Sequence, residues 1–81
     1  MGNWTVAEMN ASSWYNKGNE LIEIGLYEEA LEAFEHALWL DKNYTEALNG
    51  KGNALLNLGR FDEALEAYER ALELAQSTAR A

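Results

Sequence analysis

The sequence predicts an all-α fold of two stacked helical hairpins, and three observations carry that expectation. The chain repeats itself: residues 11–44 laid over 45–78 give 14 identical pairs in 34, without a gap. Within each copy apolar residues return every three or four positions, the period of one helix face. Glycines at 25 and 59 interrupt the two copies at the same place, as glycine does where a helix ends. A unit of this length that cannot bury its apolar face alone is the mark of a stacked repeat.

The elements follow in order. Trp4, Ala7, Ala11, Trp14, Gly18 and Leu21 form one stripe at helical spacing, and Thr5-Val6-Ala7-Glu8 reads as a capping box. The first helix is therefore expected to start near Thr5, with residues 1–10 lengthening it ahead of the repeat; a frayed tail is the alternative. Gly25 ends that helix, and Tyr27 opens a second whose Ala30, Phe34 and Ala37 make an apolar stripe. Glu28 and Glu29 lie in its first turn, where the helix dipole favours carboxylates. Leu26, just before it, is a poor N-cap.

Asp41-Lys42-Asn43 is expected to turn, with Asn43 capping a third helix and Glu46 three residues on. The competing outcome is a fused helix from Glu28 to Leu58, 31 residues and about 46 Å long, which would drive domain swapping between chains. The third helix carries Leu48, Gly52 and Leu55 and ends at Gly59; the fourth opens at Phe61 with Ala64, Tyr68 and Ala71 on its stripe. Asp62 and Glu63 repeat the acidic first turn, and Arg60 repeats the poor cap. Gly18 and Gly52, mid-helix, each cost about 1 kcal/mol relative to alanine and so point to close helix contact, notably against Ala30 and Ala64, with the large Trp14, Phe34 and Tyr68 filling the space around them. After residue 78 only the tail 79–81 remains, and no further amphipathic helix covers the last apolar edge. Two units without a cap are expected to be marginal alone, or to meet another chain.

Composition narrows the function. At 81 residues, with 48% hydrophobic content and no cysteine, the chain is one small folded domain without disulfides or thiolate metal sites. It has no apolar run of membrane-spanning length and no secretion signal, so a cytoplasmic location is expected. The three glycosylation sequons, at Asn3, Asn10 and Asn43, are then coincidental. Six Lys and Arg against 14 Asp and Glu give a formal charge of −8. Such a field repels phosphate backbones and anionic lipids and favours a neutral to basic protein or peptide, with no nucleic acid and no membrane partner. Catalysis lacks parts. The single histidine, His36, reads as a surface pair with Glu32, and the carboxylates are too scattered to serve as a zinc site or a nucleophile–base pair. The glycines follow the repeat rather than a phosphate loop. No catalytic residue, no metal and no cofactor is expected.

The pattern Trp14-x-x-Lys17-Gly18-x-x-Leu21 followed by Ala30-x-x-x-Phe34 resembles the tetratricopeptide repeat. Leu48-x-x-Lys51-Gly52-x-x-Leu55 with Ala64-x-x-x-Tyr68 resembles it equally, over residues 11–44 and 45–78. Lys17 and Lys51 depart from the family's usual leucine, and the proline that closes each unit is missing. The resemblance implies a right-handed superhelical stack of two helix-turn-helix repeats, a non-catalytic binding module. It also implies a concave groove lined by Ser12, Tyr15, Asn16, Asn19 and Glu23, then Glu46, Asn49, Asn53 and Asn57. Asparagines both donate and accept, so a ladder of them suits a peptide backbone, although Gly50 breaks the match to Asn16. The family's carboxylate-gripping groove uses Lys and Arg, whereas these positions are neutral or acidic.

The alternative is a self-assembling scaffold, domain-swapped or engineered, a homo-oligomer with a dimer favoured. Trp39 interrupts a stripe that its twin Glu73 keeps charged, and tryptophan is enriched at interface hot spots. Trp39, Tyr44 and Leu72 are the expected self-association residues, together with the uncovered edge; Trp39 folding back on Tyr44 or the first helix is the competing reading.

Overall fold

The computed structural model describes the backbone of residues 10–80 and the side chains of residues 10–77. The described residues form four helices and no strand: α1 (Ala11–Glu23), α2 (Tyr27–Leu40), α3 (Thr45–Asn57) and α4 (Phe61–Arg80). Helix α1 packs along α2, α3 along α4, and α2 along α3, so two hairpins stack with α1 and α3 in lighter contact.

The helix ends obey local chemistry. Asn10 is extended, and its Oδ1 accepts from the Ser13 backbone N–H at 2.8 Å and from the Ser13 hydroxyl at 3.0 Å. Helix α1 thus begins at Ala11 with its own cap. The expected start at Thr5 lies outside the described residues, but no single helix runs unbroken through Asn10. At the other end Gly25 takes φ +82° and Gly59 φ +79°. The Leu26 N–H donates to the Leu21 carbonyl at 2.9 Å and the Arg60 N–H to the Leu55 carbonyl at 2.9 Å. This closure needs a left-handed residue, which glycine supplies without a Cβ clash.

Between the hairpins the chain turns rather than fuses. Helix α2 ends at Leu40, the extended Asp41 follows, and its Oδ1 accepts from the Asn43 N–H at 3.2 Å. The Asp41 carbonyl accepts from the Tyr44 N–H at 3.1 Å, closing a tight turn. The expected cap at Asn43 is displaced by one residue. Tyr44 occupies the N-cap of α3 without a side-chain bond, because the Asp41 turn carries the chain past Asn43 before the helix begins. Leu26 likewise caps α2 with no side-chain bond, leaving Glu28 and Glu29 to favour that terminus through the dipole.

The core is built from small residues around one ring. Ala30, Leu31, Phe34, Ala37, Ala47, Ala54, Leu55 and Ala64 form its buried cluster, and Phe34 and Leu55 are its largest fully enclosed side chains. A Cβ placed on Gly18 would lie 2.6 Å from the Phe34 ring, and one on Gly50 only 2.5 Å. Phe34 is therefore clasped between α1 and α3. Gly52 bears the same relation, at 2.6 Å, to Tyr68. The nearest neighbours of Gly18 and Gly52 are thus the rings expected to fill the space around them, Phe34 and Tyr68, rather than Ala30 and Ala64.

Candidate interaction surfaces

The helical spacing of α1 puts Ser12, Asn16, Asn19 and Glu23 on one stripe, and that of α3 does the same for Glu46, Asn49, Asn53 and Asn57. Ser12, Asn16 and Glu23 are exposed, as are Glu46, Asn49, Asn53 and Asn57, while Asn19 is half-buried. Tyr15 differs from the others. Its ring lies 6.0 Å from Phe34 and 5.3 Å from Tyr44, so much of it serves the packing between hairpins.

The two equivalent asparagines are not equivalent in their bonds. The Tyr68 hydroxyl donates to Asn53 Oδ1, and the Asn57 side-chain amide donates to the Asn53 carbonyl at 2.9 Å. Phe34 replaces Tyr68 in the first repeat and has no hydroxyl to offer Asn19. Asn53 is thus held by its own repeat, with its amide N–H groups the part left to donate outward.

Trp39 does not fold inward: it is 84% exposed. With Glu32, Glu35 and His36 it lines an open depression of about 710 Å³ on α2. The histidine's partner is an aromatic ring rather than the carboxylate expected from spacing. His36 stacks on Trp14 with centroids 4.3 Å apart and planes 21° from parallel, a contact between α1 and α2 that one-helix spacing cannot reveal. Tyr44 is half-buried against Tyr15. It is engaged within the chain and separates from Trp39 and Leu72, which are both exposed.

Two ion pairs join described residues. Lys51 Nζ lies 3.6 Å from Glu35 Oε2, bridging α3 to α2. Arg60 grips Glu63 through two bonds of 2.8 and 2.9 Å. The Arg60 hydrogen bond holds the Glu63 carboxyl below its ordinary range, and Glu63 in turn raises the Arg60 guanidinium. Both groups are exposed, so the pair adds little stability.

The apolar edge involves residues that the sequence reading passed over. Leu56 and Leu65 are exposed, as is Leu72. Their identity with or likeness to Ile22 and Leu31, a repeat earlier, was the available signal. Among the described residues no three His, Cys, Asp or Glu converge as metal ligands, and no helix is long and apolar enough to cross a membrane.

The tetratricopeptide repeat family model matches residues 11–44 and 45–77. Among solved structures the chain is similar to the second TPR of Spaghetti (RPAP3) bound to the HSP90 peptide SRMEEVD. That match has 33% identity and a TM-score of 0.79, over 82% of this chain and 61% of that one. It is also similar to MamA, with 26% identity and a TM-score of 0.86, over 94% of this chain and 46% of that one. The chain thus spans less than two thirds of either protein. Nothing among curated protein sequences matches it.

Proposed function

Because the chain belongs to the tetratricopeptide repeat family, we propose that it is a non-catalytic, cytoplasmic interaction module that holds a neutral to basic peptide across α1 and α3. The observation that carries this reading is the exposed polar stripe on those two helices, where Asn16, Asn49 and Asn53 stand beside Glu23 and Glu46 with no Lys or Arg among them. Asparagines there bond a peptide backbone irrespective of its sequence, and the carboxylates choose its charge. The solved neighbour holds SRMEEVD, an acidic peptide. A stripe carrying Glu23 and Glu46 on a chain of net charge −8 opposes such a ligand.

The test is fluorescence titration with extended peptides of neutral, basic and acidic composition. Basic peptides are expected to bind and SRMEEVD to fail. The paired change Asn16→Ala and Asn49→Ala is expected to weaken binding about tenfold or more. These two are cleaner probes than Asn53, whose loss would also strand the Tyr68 hydroxyl. Unchanged affinity in that variant would reject the groove.

A second reading, self-association, is favoured by the exposed Trp39 above its open depression. A dimer made there loses mass in light scattering when Trp39→Glu restores the residue type found at position 73. A mass that does not respond removes Trp39 as the contact.

A further inference from the structure

The two repeats form an internal comparison. The alanine positions of α2 and their twins in α4 are alike buried: Ala30 and Ala64, Ala33 and Ala67, Ala37 and Ala71. The positions on the next stripe are not. Leu31 is 5% exposed and its twin Leu65 56%; Leu38 is half-buried, whereas Leu72 is 58% exposed. On the first helices Ile22 is half-buried and Leu56 is 47% exposed. What separates the twins is α3, which lies on the stripe of α2: Gly50 meets the Phe34 ring and Lys51 meets Glu35 at 3.6 Å. The stripe of α4 repeats every part of that surface, with Leu65, Tyr68, Glu69 and Leu72 in the places of Leu31, Phe34, Glu35 and Leu38.

We propose that the edge formed by Leu56, Leu65, Tyr68, Glu69 and Leu72 is a docking site for a helix of another protein that carries the seam of α3: Ala-x-x-Gly-Lys-x-x-Ala. The interface inside the chain states the chemistry required. A glycine lies over the aromatic ring, alanines lie one turn to either side, as Ala47 and Ala54 do, and a basic residue follows the glycine to meet Glu69. Acidic Asp62, Glu66, Glu69 and Glu73 on α4 reinforce the preference for a basic partner.

A second copy of this chain is a poor occupant. Its first described helix, α1, has Asn16 at the place of Gly50 and Glu20 at the place of Ala54. The first would press a Cβ against the ring and the second would bury a carboxylate among leucines. Its own α3 is already enclosed. The proposal concerns a different surface from the peptide stripe of α1 and α3, so each can fail without the other.

The experiment titrates the isotope-labelled full chain with a capped synthetic peptide of residues 44–58, followed by NMR. Shifts are expected at Leu56, Leu65, Tyr68 and Leu72. A peptide carrying Gly50→Asn and Ala54→Glu is expected to bind at least about tenfold more weakly. Leu65→Glu or Leu72→Glu in the protein, both at exposed positions that leave the helices intact by circular dichroism, should have the same effect. Glu69→Lys should weaken the peptide, and Lys51→Glu in the peptide should restore it. Shifts confined to Asn16, Asn49 and Asn53, an absence of shifts at millimolar peptide, or indifference to Leu65→Glu would each overturn the proposal. So would a scattering mass that grows with concentration and is abolished by Leu65→Glu, which would assign the edge to a second copy.

Discussion

A methyl group on Gly50 would stand 2.5 Å from a carbon of the Phe34 ring, well inside van der Waals contact. Because a Cβ on Gly18 would come equally near the same ring carbons, at 2.6 Å, α1 and α3 both crowd Phe34 and leave the ring little room to move. Gly50→Ala is expected to lower stability by about 1–3 kcal/mol despite alanine's better helix propensity, because overpacking outweighs it. Urea denaturation checks this; a stabilised variant would show that the ring yields. Gly50 looked, from sequence, like a gap in an asparagine ladder. Its role was not legible because the ring it accommodates belongs to another helix. Gly18 and Gly52 were legible as close-contact positions with large rings around them, but which ring meets which glycine was not. Nothing in the local sequence distinguishes a glycine that meets an alanine from one that meets a ring.

At the scale of elements, the helix ends were the most readable feature. Gly25 and Gly59 close their helices through bonds that span only five residues, so sequence spacing suffices to place them. The turn between α2 and α3 was readable in existence and not in register. Asp41, extended at φ −144° and ψ 92°, already lies outside the helical region that a following proline disfavours. Lys42 is exposed, and its N–H is not among the bonds that close the turn. Lys42→Pro is therefore expected to raise stability by about 0.4–1 kcal/mol by restricting the unfolded chain. Thermal melting with unchanged helical circular dichroism is the readout; lost helicity would mean that the chain needs freedom at residue 42.

For the whole molecule, Phe34 is the joint between repeats, since it touches both the helix before it and the helix of the following unit. In a stack whose stability is a sum of units and interfaces, removing that joint acts on both at once. Phe34→Ala is expected to cost about 3–5 kcal/mol, a large share of the stability of a small domain. Calorimetry should show the cooperative transition lowered or lost, whereas Tyr68→Phe, which removes only the hydroxyl on Asn53, should retain it. The repeat period, the helix ends at Gly25 and Gly59, the acidic charge and the polar stripe of α1 and α3 were all determined by the sequence itself. Each depends on residues within a few positions or on composition. Which leucines are covered was decided only by tertiary structure. Leu31 and Leu65 sit in the same Glu-Ala-Leu-Glu-Ala segment, yet one is enclosed and the other open, because burial depends on whether a further helix lies across the stripe.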